Sequence, residues 1–216
     1  MFRKGSLIRE LPILLLVALV VSLFIKSFLV QFFYIPSGSM ENTLQINDRV
    51  AVNKLPFMSG KINRGDVVVF RDPASWLPEA DDSVQSTLMA KIKDGLVLVG
   101  VLPNPAKQYL VKRVIGVAGD HIVCCSKKKL KINGKLVDEP YIFKGNRPSD
   151  ITFDIRVKPG KIWVMGDHRG ASADSRYHQD DINKGQVPLS RVTGRVFGVI
   201  WPFDNAKIVP SIPVLK

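Results

Sequence analysis

Tyr109-Leu110-Val111-Lys112-Arg113-Val114-Ile115-Gly116-Val117 holds two adjacent cations inside an otherwise apolar run. Its tyrosine, valines and isoleucine favour a pleated strand. Side chains of a strand alternate between faces, so Leu110, Lys112 and Val114 share one face while Val111, Arg113 and Ile115 share the other. One of the two cations therefore accompanies an apolar face. A buried lysine loses hydration, its pKa falls, and the neutral amine can accept a proton near neutral pH. Arginine cannot, so Arg113 suits pairing with a carboxylate. A solvated lysine on an edge strand is the alternative that these residues leave open.

The chain on either side continues the rhythm. Strands are expected at Asp48 to Val52, Asp66 to Phe70, His121 to Cys124, Leu130 to Ile132, Thr152 to Val157, Lys161 to Met165 and Val192 to Ile200. Turn residues bound many of them, and Asn133-Gly134 between Lys131 and Lys135 is a tight-hairpin signal. The expected fold is mostly β. Residues 73 to 106 interrupt it as an insertion, with a polar opening, a possible helix at Val84 to Ile92, and an apolar run from Gly95 to Leu102. That run suits either a buried strand or a membrane surface, and burial is the expectation.

The N-terminus has a different character. Leu11 to Val30 is twenty residues with Lys26 the only charge, about 30 Å as a helix, which predicts a transmembrane anchor. Arg3, Lys4 and Arg9 precede it, so the positive-inside rule puts residues 1–10 in the cytoplasm and residues 31–216 outside. The expectation is thus a single-pass protein of the cell membrane. A cleaved signal peptide ending near Ser37-Gly38-Ser39 is the competing account, disfavoured by the bulky Gln31-Phe32-Phe33-Tyr34 before the supposed site, whose aromatics better suit the outer interface of a retained anchor.

The 216 residues carry a formal net charge of +12, which favours an anionic partner surface. Lys127-Lys128-Lys129 and Lys131 come with no nucleic-acid motif, so no nucleic acid is expected, and a solvated hairpin rim or contact with anionic lipid is the simpler account. Cys124 and Cys125 are adjacent and can staple no long loop, and no Cys/His spacing suggests a metal site. No cofactor is expected.

Ser39 lies in Ile35-Pro36-Ser37-Gly38-Ser39-Met40, a bend rich in turn residues. A hydroxyl there can be a nucleophile beside free backbone N–H groups, or merely a turn or cap residue. It needs a base, and the candidates are Lys112 and His168, the latter preceded by Asp167.

Four stretches carry a resemblance to bacterial type I signal peptidases, proteases with a serine–lysine dyad. Ile35 to Leu44 resembles their nucleophile box, and Gly65 to Phe70 the next. Tyr109 to Asp120 is similar to the box with the catalytic lysine, and Gly166 to Arg176 to the last. They stand in the family's order and, with their linking strands, cover most of residues 30 to 202. The resemblance implies a signal-peptidase-like β catalytic domain behind one N-terminal helix. It implies Ser39 as nucleophile, Lys112 as general base, and Ser37 with the Ser39 N–H as oxyanion hole. Ser172 would hydrogen-bond Lys112, while Asp174 and Arg176 pair to hold that loop and Arg113 adds support. Exported preproteins at the membrane would be the substrates, cut after small residues. Asn42 stands where the family usually has proline, and His168, Gly170 and Ala171 where asparagine or aspartate is common. A His168-based hydrolase and a non-enzymatic membrane scaffold are the rival functions.

Overall fold

The computed structural model describes residues 7–55, 62–77, 109–126 and 129–212. The expected helix at Val84 to Ile92, the run Gly95 to Leu102 and Lys127-Lys128 lie outside the described residues. Among the described residues one long helix, α1 (Leu7–Phe28), precedes twelve strands. These are β1 (Val30–Tyr34), β2 (Arg49–Asn53), β3 (Val67–Arg71), β4 (Tyr109–Gly116), β5 (His121–Ser126), β6 (Lys129–Ile132), β7 (Lys135–Leu136), β8 (Phe153–Arg156), β9 (Lys161–Met165), β10 (Val187–Pro188), β11 (Val192–Trp201) and β12 (Lys207–Ile208). The mostly β expectation holds. All pairings are antiparallel, in a larger sheet ordered β1-β2-β11-β3-β4-β9-β10 with β12 on β11, and a smaller one ordered β7-β6-β5-β8.

The expected anchor is corrected. Among the described residues no helix is long and apolar enough to cross a membrane. Helix α1 ends at Phe28 and the backbone enters β1 at Val30, inside the span expected to reach residue 30. The single-pass topology, with its cytoplasmic N-terminus, extracytoplasmic bulk and cell-membrane location, loses its basis with the anchor. Gln31 to Tyr34, expected as interfacial aromatics of that anchor, belong instead to β1, with Phe33 and then Ile35 buried while Phe32 and Tyr34 are exposed.

The larger sheet is covered on both faces, which is why β3 reads as an uninterrupted apolar run. Val67 and Val69 enter one core with Phe33, Met40, Leu44 and Val50. Val68 and Phe70 enter another with Trp76, Leu110, Val114 and Val164. Each such side chain contributes about 1.5–3 kcal/mol on burial. A third core, including Ile115, Ile122, Tyr141 and Trp163, joins the smaller sheet to β4 and β9. The hairpin between β6 and β7 turns through Asn133 (φ 50°) and Gly134 (φ 83°), both left-handed as a tight two-residue turn requires. Cys124 and Cys125 lie side by side within β5 and close no loop.

One consequence of the topology positions the site. β4 pairs with β3 along Tyr109 to Arg113 but meets β9 only from Arg113 onward. Tyr109 to Lys112 therefore have one edge unpaired among the described residues, and so does β1, which pairs only with β2.

Candidate active site

Both cations of β4 are buried, Lys112 at 5% exposure and Arg113 at 0%, because each faces a different core. Their partners differ. Arg113 makes a two-pronged bond to Asp167, Nε to Oδ1 at 2.8 Å and Nη2 to Oδ2 at 2.6 Å, and also donates to the Gly65 carbonyl at 2.7 Å. Its guanidinium lies 4.2 Å from the Tyr141 ring centroid. Lys112 has no carboxylate ion pair among the described residues. Its Nζ lies 2.7 Å from Ser39 Oγ. Burial lowers the Lys112 pKa from 10.5 to about 8, against the opposing pull of the Asp174 and Asp167 carboxylates. That leaves a substantial neutral fraction in mildly alkaline water, as a general base needs.

Ser39 is itself buried, on a single 3₁₀ turn spanning Gly38–Met40. Pro36 pushes Ile35 toward an extended conformation, and Gly38 permits the close turn that follows. Ser37 sits at the cap position of this turn, but its side chain caps nothing. Its Oγ instead lies 3.5 Å from Ser39 Oγ, so the bland role of a turn cap is not the one the hydroxyl takes. Met40 packs into the core.

The loop after β9 closes the site. Asp174 accepts from Arg176 at both oxygens (2.8 and 2.9 Å), from the Gly166 N–H (2.9 Å) and from Ser172 Oγ (2.8 Å). The expected Asp174–Arg176 pair is present and buried. The expected Ser172 bond to Lys112 is not among the hydrogen bonds of the described residues; the hydroxyl is directed to Asp174.

His168 stands elsewhere. Its Nδ1 lies 2.7 Å from Glu41 Oε2, and its ring stacks on Phe143 with centroids 4.2 Å apart. His121 pairs with Asp154, and His178 stacks on Trp76. The hydrogen bonds of Ser39 Oγ run to Lys112 and Ser37, none to a histidine.

A cleft of about 310 Å³ opens above Ser39 and Lys112, walled by Phe33 and Ile35 on one side, Tyr109 on another, and Ala171 and Ala173 on the loop. It lies between the two unpaired strand edges. An extended peptide can pair its backbone with such edges while alternate side chains drop into the cleft.

The family model for signal peptidase, peptidase S26, matches residues 8–201. The chain belongs to the signal peptidase family. It is similar to signal peptidase I of Mycobacterium tuberculosis, at 35% identity over 97% of this chain and 78% of that one. A probable signal peptidase I of Mycobacterium leprae is 35% identical over 93% of this chain and 78% of its own length. A probable signal peptidase I-2 of Synechocystis is 32% identical over 93% and 76%. Family membership makes the chain a protease of the signal peptidase I type.

Several contacts around the site had no sequence signal. Asn42 sits at φ 86°, where a proline ring locked near −65° could not follow, and its amide donates to the Tyr141 carbonyl at 3.0 Å. The proline usual in the resembled box could make neither that turn nor that tether. Thr43 joins the Arg113–Asp167 pair through its hydroxyl. Gly166 passes so close to the site that a Cβ there would meet Ser172 Oγ at 2.3 Å and the Ser39 carbonyl at 2.5 Å. Only the glycines and the left-handed preference of asparagine were hints that could have been followed.

Proposed function

We propose that this chain is a serine endopeptidase that removes signal peptides from exported preproteins, cutting after small residues with Ser39 as nucleophile and Lys112 as general base. The observation that carries the proposal is the 2.7 Å approach of Lys112 Nζ to Ser39 Oγ, buried at the base of a cleft between two open strand edges. In the neutral state Ser39 donates its hydroxyl proton to Lys112 as Oγ attacks the scissile carbonyl. The Ser39 N–H and the Ser37 hydroxyl receive the negative charge that develops on the carbonyl oxygen. Lys112 then gives its proton to the leaving amine, freeing the C-terminal product and leaving an acyl ester on Ser39. Lys112, neutral again, takes a proton from the water that attacks the ester carbonyl and returns it to Ser39 Oγ as the acid product leaves. Asp174 with Arg176, and Arg113 with Asp167, hold the two loops that define this geometry.

Small-residue preference rests on the family resemblance, and a cleft of about 310 Å³ shared by several residues of an extended peptide is compatible with it. The basic rim at Lys129, Lys131 and Lys135 is the surface we assign to an anionic lipid partner. Cleavage of one precursor peptide by the parent and by Ser39→Ala, with alanine or phenylalanine before the cut, tests the reading. Processing by the parent of the alanine peptide alone is the expected result. Equal processing by Ser39→Ala would discard the nucleophile, and equal turnover of both peptides would discard the small-residue preference.

A further inference from the structure

The chain between β7 and β8 takes no part in the chemistry above, yet it holds the loop that follows β9. Glu139 pairs with Arg169, whose guanidinium also donates to the Pro148 carbonyl at 2.6 Å and to the Gly166 carbonyl at 2.9 Å. The Phe143 N–H donates to the Asp167 carbonyl at 2.9 Å, and Asn146 Oδ1 accepts from the Gly170 N–H at 2.8 Å. His168, Gly170 and Ala171 stand where the resemblance drawn from the sequence expects asparagine or aspartate as polar braces of this loop. The structure supplies those braces from residues 139–148 instead.

His168 is where this strap meets the nucleophile. Its backbone N–H donates to the carbonyl of Ser39 itself at 3.1 Å. Its ring is fixed twice, by the stack on Phe143 from the strap and by Glu41, two residues beyond Ser39. The His168 side chain is 20% exposed and that of Glu41 34%, so the contact between them is partly shielded from solvent. We propose that His168 is a positioning residue for the nucleophile, its N–H holding the Ser39 peptide and its ring locking that contact between Phe143 and Glu41. His168 does not itself line the cleft; besides its contact with Ser39, its carbonyl accepts from the N–H of Ala171, which walls the cleft, at 3.0 Å. The proposal rests on Ser39 being the nucleophile.

With His168→Ala the ring anchor is lost and the 168–39 contact loosens. A displacement of Ser39 by a fraction of an ångström degrades its alignment with Lys112 and admits water to the amine. The expected result is a fall in kcat of about tenfold with KM little changed. The apparent pKa of the acidic limb of kcat/KM should also rise toward that of free lysine, because rehydration relieves the burial that lowers it. Partial unfolding would scale activity equally at every pH and leave the limb where it is.

The experiment measures kcat and KM against pH for the full-length parent, His168→Ala, Phe143→Leu and Phe143→Tyr on one precursor peptide, with thermal melting recorded for each. Phe143→Leu removes the stack and should move the limb in the same direction by less, while Phe143→Tyr keeps the ring and should restore the parent limb. Phe143→Leu also decides the matter if His168→Ala does not fold. A limb that stays in place in Phe143→Leu and in folded His168→Ala overturns the positioning role, whatever happens to the amplitude. Failure of the nucleophile reading is separately visible, since Ser39→Ala would then match the parent.

Discussion

Ser172 Oγ donates to Asp174 Oδ2 at 2.8 Å, and that carboxylate is the charge that most opposes the lowered pKa of Lys112. The hydroxyl therefore reaches the lysine through Asp174. Asp174 keeps the Gly166 N–H and both Arg176 prongs when Ser172 is truncated, so Ser172→Ala is expected to cost about 1 kcal/mol of stability. Asp174→Ala strips a buried guanidinium of its partner and should cost about 3–5 kcal/mol. Urea unfolding of the two variants checks the ranking; equal losses would mean that Arg176 finds another acceptor.

Gly166→Ala follows from close approach. The added methyl would fall 2.3 Å from Ser172 Oγ and 2.5 Å from the Ser39 carbonyl, and the latter is backbone that cannot rotate away. Something must shift, and the nearest candidate is the nucleophile's own peptide. Overpacking should cost about 1–3 kcal/mol, and kcat/KM should fall by about a hundredfold. Activity within threefold of the parent would show that the loop after β9 can retreat as a unit.

How far the sequence revealed this site depends on the range of each interaction. The alternation in β4 was legible because strand period alone assigns Lys112 to the face of Leu110 and Val114. That Arg113 is buried as well was not, since its partner Asp167 is 54 residues away and only the fold brings them together. β1 was misread because Phe32-Phe33-Tyr34 beside an apolar helix imitates an interfacial belt. The pattern that distinguishes them is burial of Phe33 and Ile35 between exposed neighbours, which a string of aromatics conceals. The strap at residues 139–148 left no trace, because its bonds run between irregular backbone and side chains of a distant loop. Such contacts have no period.

Lys112→Met separates stability from function. A folded-state pKa of about 8 against 10.5 means the native protein binds protons less readily than the unfolded chain. Stability associated with Lys112 is thus present above pH 10.5, falls as pH drops toward 8, and is fully lost below. That difference corresponds to roughly 3 kcal/mol at neutral pH. Methionine fills the site without a charge, at the cost of the bond to Ser39, so a net gain of about 1–3 kcal/mol at pH 7 is expected. The gain should shrink as pH rises to 10. Unfolding curves of parent and variant at both pH values provide the check. A variant less stable than the parent at pH 7 would mean that Lys112 is well solvated in its charged form.

The pH–rate profile tests the base directly. Lys112 must be neutral to take the Ser39 proton, and its pKa of about 8 puts that transition within reach of mild buffers. As pH rises through about 8, kcat/KM on one precursor peptide should climb and then level, with slope one on the acidic side. The limb should be absent from Lys112→Arg, because guanidinium stays protonated throughout, and the folded variant should lose nearly all activity. Folding must be measured independently, since the longer guanidinium in a space made for an amine also crowds Ser39. Near-parent activity of a folded Lys112→Arg, or an acidic limb centred near pH 6 in the parent, would remove Lys112 as the base. The second outcome would direct attention to a histidine, although the nearest one to the nucleophile's turn, His168, directs Nδ1 to Glu41 and stacks its ring on Phe143.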